Sequence, residues 1–113
     1  MQLDKFIFSV CNDLYLELPV DVRLKTTENN IAAEYVPVFG ETESEIKKHK
    51  ITVWMGGEND RDLFTLIAHE LIHAYQAENQ FLDTHGRSFK LMARYLGLLY
   101  DLPDIYRADL DCE

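Results

Sequence analysis

Leu66-Ile67-Ala68-His69-Glu70-Leu71-Ile72-His73-Ala74-Tyr75 sets a His-Glu-x-x-His pattern inside an apolar, helix-forming stretch. On an α-helix, positions four apart share a face. His69 and His73 are therefore expected to aim two ring nitrogens at one zinc ion, with Glu70 beside them as a general base. Positions 66, 67, 68, 71, 72 and 74 are uncharged and mostly aliphatic, which suits a helix that runs through the middle of a small domain with only its metal face polar. A buried Glu70 also calls for a cation, because an unpaired carboxylate in an apolar interior is heavily penalised. The pattern is the one expected at the core of a metallopeptidase site.

With 113 residues the chain is expected to form one domain around one core. No segment approaches the ~20 apolar residues of a membrane span. The start Met1-Gln2-Leu3-Asp4-Lys5 lacks a charged-then-apolar leader, so the expectation is a cytoplasmic protein with no membrane partner. Cys11 and Cys112 sit near opposite ends of a chain without an export signal, and a disulfide is not favoured. Cys11 reads as a small core residue on the first helix, and two cysteines cannot build a zinc ribbon. The net charge of -9 argues against nucleic-acid binding through the overall field. Arg87, Lys90 and Arg94 recur at helical spacing as a local basic stripe, which reads first as a solvated helix face and second as a contact for nucleic acid.

Leu3, Phe6, Ile7, Val10, Cys11 and Leu14 follow amphipathic spacing and predict a helix over residues 2–17, ended near Pro19. Val20, Val22 and Leu24 alternate with Asp21, Arg23 and Lys25, a half-buried strand, and Asn29-Asn30 makes a turn into a second strand from Ile31 to about Val38. An acidic loop from Gly40 to Glu45 leads to a third strand, His49–Met55, with His49 read as a solvated residue. Asn59 or Asp60 caps the motif helix, expected over residues 60–79. A last helix from Gly86 or Arg87 buries Phe89, Met92, Ala93, Leu96, Leu99 and Tyr100 and stops before Pro103. The fold class is α+β: an N-terminal helix, a three-stranded antiparallel or mixed sheet, the motif helix and a second C-terminal helix.

A catalytic zinc usually has three protein ligands and one open position. The metzincin arrangement needs Gly three and His six residues after the second motif histidine; Gln76 and Asn79 stand there. Thermolysin-like enzymes take a glutamate from a following helix, but the only glutamate after Glu78 is Glu113, and Glu78 lies too close along the motif helix to turn onto the metal. His85, before Gly86 at a loop-to-helix junction, is the leading third ligand, with Asp83 second.

His69-Glu70-Leu71-Ile72-His73-Ala74-Tyr75 followed by His85-Gly86-Arg87-Ser88-Phe89 resembles the SprT-like zinc metallopeptidases, the group that includes the Spartan DNA-protein crosslink proteases. The specific likeness is confined to those two segments; the upstream helix and short sheet follow more weakly. The resemblance implies a zincin-like domain, His69, His73 and His85 as Zn2+ ligands, Glu70 as the catalytic glutamate and a protein or peptide substrate, including DNA-associated protein. Fuller members often carry a cysteine zinc ribbon or separate DNA-binding segments, and this sequence has neither.

In the expected chemistry Glu70 takes a proton from a zinc-activated water and returns it to the leaving amine. Tyr75 and Tyr95 are candidate oxyanion donors, with packing the expected role of each. The residues also suit a non-catalytic zinc-binding module that engages a basic partner protein, and a metal-dependent hydrolase acting on a non-peptide bond.

Overall fold

Eleven of the sixteen residues of the motif helix are buried, so the rest of the chain is arranged to surround it. The computed structural model describes residues 2–26, 33–42, 45–55 and 62–106. Its elements are α1 (Leu3–Asp13), β1 (Val20–Thr26), β2 (Ala33–Phe39), β3 (Ile46–Met55), α2 (Leu63–Glu78) and α3 (Arg87–Tyr100). This is a small α+β domain. The sheet is mixed, in the order β1-β3-β2, with β1 parallel and β2 antiparallel to β3. Among the described strands, β1 and β2 lie at its edges.

The core joins Phe6, Val10 and Leu14 of α1, Ala33 of β2, Ile51 and Val53 of β3, Leu66, Ile67, Leu71 and Ile72 of α2, and Phe89 and Leu96 of α3. Each large apolar side chain removed from water contributes roughly 1.5–3 kcal/mol. Helix α2 touches β2, β3, α1 and α3. Phe6 stacks on Phe64 at 4.5 Å and meets Tyr100 edge-on at 5.2 Å, which brings α1, the start of α2 and the end of α3 together. No helix among the described residues is long and apolar enough to cross a membrane.

Several boundaries differ from the sequence expectation. Helix α1 ends at Asp13 rather than near residue 17, because Tyr15 adopts a left-handed conformation, φ 55°. The Leu16 amide then bonds Cys11 O and the Tyr15 amide bonds Asn12 O, the paired bonds that close a helix without glycine. Gln80 (φ 58°) repeats this after α2, with Phe81 N donating to Gln76 O, and Asp101 (φ 56°) follows α3, with Leu102 N donating to Gly97 O. Each closure places an apolar residue just after the turn. Asp62, expected inside the first turn of the motif helix, is instead its cap and accepts from the Thr65 amide at 3.1 Å. Asn59, Asp60, the Asn29-Asn30 turn and Cys112 lie outside the described residues. Leu24 and Leu99 are exposed rather than buried, Leu99 because the face of α3 that packs inward is the narrow stripe of Phe89, Ala93 and Leu96.

The largest correction concerns His49. Strand β3 begins at Ile46, three residues earlier than expected, which sets His49 inside the sheet with 0% exposure. Its Nε2 lies 2.6 Å from Glu78 Oε2 and its Nδ1 2.7 Å from the Tyr35 hydroxyl. A carboxylate only accepts, so the proton on this side belongs to Nε2, and in the neutral ring Nδ1 accepts from Tyr35. Glu78 also takes the Glu17 and Leu18 amides, at 2.8 and 3.2 Å, tying α2 to the segment between α1 and β1. Burial, and then the charge of Glu78, push the half-buried Cys11 thiol up to about 11, so it stays protonated at neutral pH. Glu78→Ala strands a buried imidazole and two backbone amides and should cost about 3 kcal/mol; equilibrium denaturation that shows less than about 1 kcal/mol lost would contradict this account.

Candidate metal centre

His69, Glu70 and His73 all lie on α2, and His69 and Glu70 have no exposed surface while His73 keeps 8%. His85 reaches them from the connection that leads into α3. Gly86 makes that approach feasible, since a Cβ there would stand 2.8 Å from Asp83 O. One nitrogen from each of His69, His73 and His85 lies within 4.8 Å of the others, close enough to hold a metal ion. The Nε2 atoms of His69 and His85 are 3.3 Å apart. A tetrahedral site with metal–nitrogen bonds of about 2.0–2.1 Å has donors separated by about 3.3–3.4 Å, so this pair already has the required spacing.

Hydrogen bonds decide which nitrogen each helix histidine presents. His69 Nδ1 lies 2.8 Å from the carbonyl of Ile105, and His73 Nδ1 lies 2.9 Å from Gln76 Oε1. A carbonyl oxygen and an amide oxygen are acceptors only, so both Nδ1 atoms carry the proton and both Nε2 atoms keep a lone pair. This is the outer support that orients imidazole ligands and raises their basicity. The support on His73 continues outward: Gln76 Nε2 donates to Ser88 Oγ at 2.9 Å, and Ser88 Oγ donates to Asp83 Oδ1 at 2.5 Å. Asp83 also accepts the Ser88 amide at 2.7 Å, and these bonds from Ser88 hold its carboxyl below the usual range.

Asp83, the second choice for a third ligand, is thus engaged at the start of α3 and lies outside the donor group. Phe89, one turn beyond His85, is fully buried against all three imidazoles, with ring centroids 4.6, 4.9 and 5.1 Å from His69, His73 and His85. It fixes the rings by contact and keeps water from that side. The described acidic side chain nearest the donors in sequence is Glu70, buried next to His69 on the same helix.

Of the tyrosines singled out in the sequence, Tyr95 is 43% exposed and Tyr75 packs toward Phe81, with ring centroids 5.9 Å apart. A tyrosine that the sequence reading did not single out, Tyr35 of β2, lines a cavity of about 250 Å³ with His73, Gln76, Ala77, Phe81 and Thr84. Arg87, Lys90 and Arg94 are exposed, and Lys90 Nζ sits 5.4 Å over the Tyr106 ring. The sequence reading missed Gln76, Ile105, Tyr35 and the role of His49. Gln76 had a signal, since it stands three residues after His73 on the same helix face. A backbone carbonyl brought in from residue 105 had none.

His85→Ala should abolish stoichiometric metal uptake, and Gln76→Leu, which leaves the ligands in place but frees His73 Nδ1, should weaken affinity by roughly 10–100-fold. Competition with a chromophoric chelator measures both; full-affinity binding by the His85 variant would exclude His85 as a ligand. No protein-family model matches the chain, and neither does a curated protein or a solved structure.

Proposed function

We propose that this chain is a zinc-dependent endopeptidase with a zincin-like, SprT-like catalytic domain, in which His69, His73 and His85 hold the metal and Glu70 is the general base. The observation that carries the reading is the convergence of three imidazole nitrogens within 4.8 Å, on and beside a helix that also buries Glu70. Neutral nitrogen donors, oriented through Nδ1 by Ile105 and Gln76, suit zinc.

Bound zinc would supply positive charge, which acidifies water toward neutrality and polarises a peptide carbonyl. Glu70 accepts the proton released as the water attacks and delivers it to the departing amine. Phe89 and the helix wall exclude bulk water from the back of the site, which strengthens each electrostatic contact there.

The sheet suggests how a peptide is held. Among the described strands β2 is an edge, and Tyr35 on it borders the same cavity as His73. An extended peptide placed along β2 gains main-chain hydrogen bonds that do not depend on its sequence, which favours broad tolerance and a protein substrate. The net charge of -9 offers no general attraction for nucleic acid, so a DNA-associated substrate is recognised through its protein part.

Glu70→Gln should retain zinc and lose at least about 100-fold in cleavage of an unfolded casein substrate. Zinc analysis beside a cleavage assay tests this. Equal turnover in the variant removes Glu70 from the chemistry, while zinc-loaded wild type that cleaves no unfolded protein favours a non-catalytic metal module.

A further inference from the structure

The cavity bordered by Tyr35, His73, Ala77, Phe81 and Thr84 has about 250 Å³ of space, enough for one large side chain. Among the described residues that line it, none is ionised, since the His73 imidazole is neutral with its proton on Nδ1. Gln76, also at the wall, has its amide spent on His73 and Ser88, so it offers little to a guest. Phe81 and Ala77 are apolar. Thr84 is uncharged and exposed, and Tyr35 does not swing freely: its hydroxyl is held at 2.7 Å by His49, which is buried completely and held in turn by Glu78 at 2.6 Å. Burial and then the charge of Glu78 both raise the Tyr35 phenol well above its ordinary value, so this wall stays neutral at every working pH.

We propose that this cavity is a side-chain subsite for a large, uncharged residue of the peptide next to the scissile bond, and that Tyr35 is its specificity-determining wall, with His49 and Glu78 holding the ring in place. The proposal rests on the endopeptidase reading for its substrate, and it adds what that reading leaves open, the preference at one position. A Lys, Asp or Glu side chain entering here loses hydration and meets no ionised partner among the described lining side chains, whereas Leu or Phe exchanges water for Phe81, Ala77 and the Tyr35 ring.

The test uses zinc-loaded Glu70→Gln protein, so that binding is read whether or not the chain cleaves anything. The probes are fluorescein-labelled hexapeptides in an alanine frame with one position varied among Phe, Leu, Lys and Glu, scanned along the peptide and followed by anisotropy. At one position the Phe and Leu peptides should bind at least tenfold more tightly than the Lys and Glu peptides. Adding Ala77→Leu, which fills the cavity from the helix side, should erase that preference, as should Tyr35→Ala, while Tyr35→Phe keeps the ring and should keep the preference. Equal affinities across the series, no measurable binding of any probe, or a preference that survives Ala77→Leu overturns the subsite. Wild-type protein that shows the preference yet cleaves neither these peptides nor unfolded casein leaves the cavity standing as a side-chain pocket and overturns the peptidase reading.

Discussion

The domain is organised by one constraint: α2 has to be buried although its middle carries two histidines and a glutamate. Apolar residues at positions 66, 67, 68, 71, 72 and 74 draw the helix inward, and each polar group carried with them needs a partner there, since an unsatisfied buried donor or acceptor costs roughly 1–3 kcal/mol. Neighbours for the two imidazoles come from three places: the segment after α3 supplies the Ile105 carbonyl, the next turn of α2 supplies Gln76, and the connection into α3 supplies His85, with Phe89 of α3 packed against all three rings. Packing and ligand geometry are therefore the same contacts seen from two sides.

The far end of α2 solves a similar problem by other means. Glu78 is drawn under the sheet, where it meets a buried His49 and the amides of residues 17 and 18. The two polar networks sit a little over one helical turn apart on α2, at His73 and Glu78, and the cavity bordered by Tyr35 lies where they approach each other. Through Tyr35, the network that secures the sheet also shapes the space beside the candidate metal centre.

Helix endings show the same balance between local and tertiary forces. Tyr15, Gln80 and Asp101 all take left-handed backbone angles, which non-glycine residues adopt at a penalty of order 1 kcal/mol. Leu16, Phe81 and Leu102, the residues that follow, offset this by apolar contact, with Leu16 and Leu102 packed against the core. Without glycine as a marker, the end of α1 was not readable from local sequence. The end of α3 was, because Pro103 forbids continuation.

Periodicity and residue identity by themselves determined the order of elements, the α+β class, the helical placement of His69, Glu70 and His73, and the choice of His85 over Asp83 as the next ligand to consider. Those readings depend on neighbours in the chain, where spacing maps directly onto a helix face or strand face. Only the tertiary structure decided that His49 is buried, that Tyr35 rather than Tyr75 or Tyr95 stands beside His73, and that a carbonyl at residue 105 sets the tautomer of His69. Each of these pairs groups 14 to 38 residues apart. Their partners are selected by strand register and by where α3 turns back, and no local pattern encodes that.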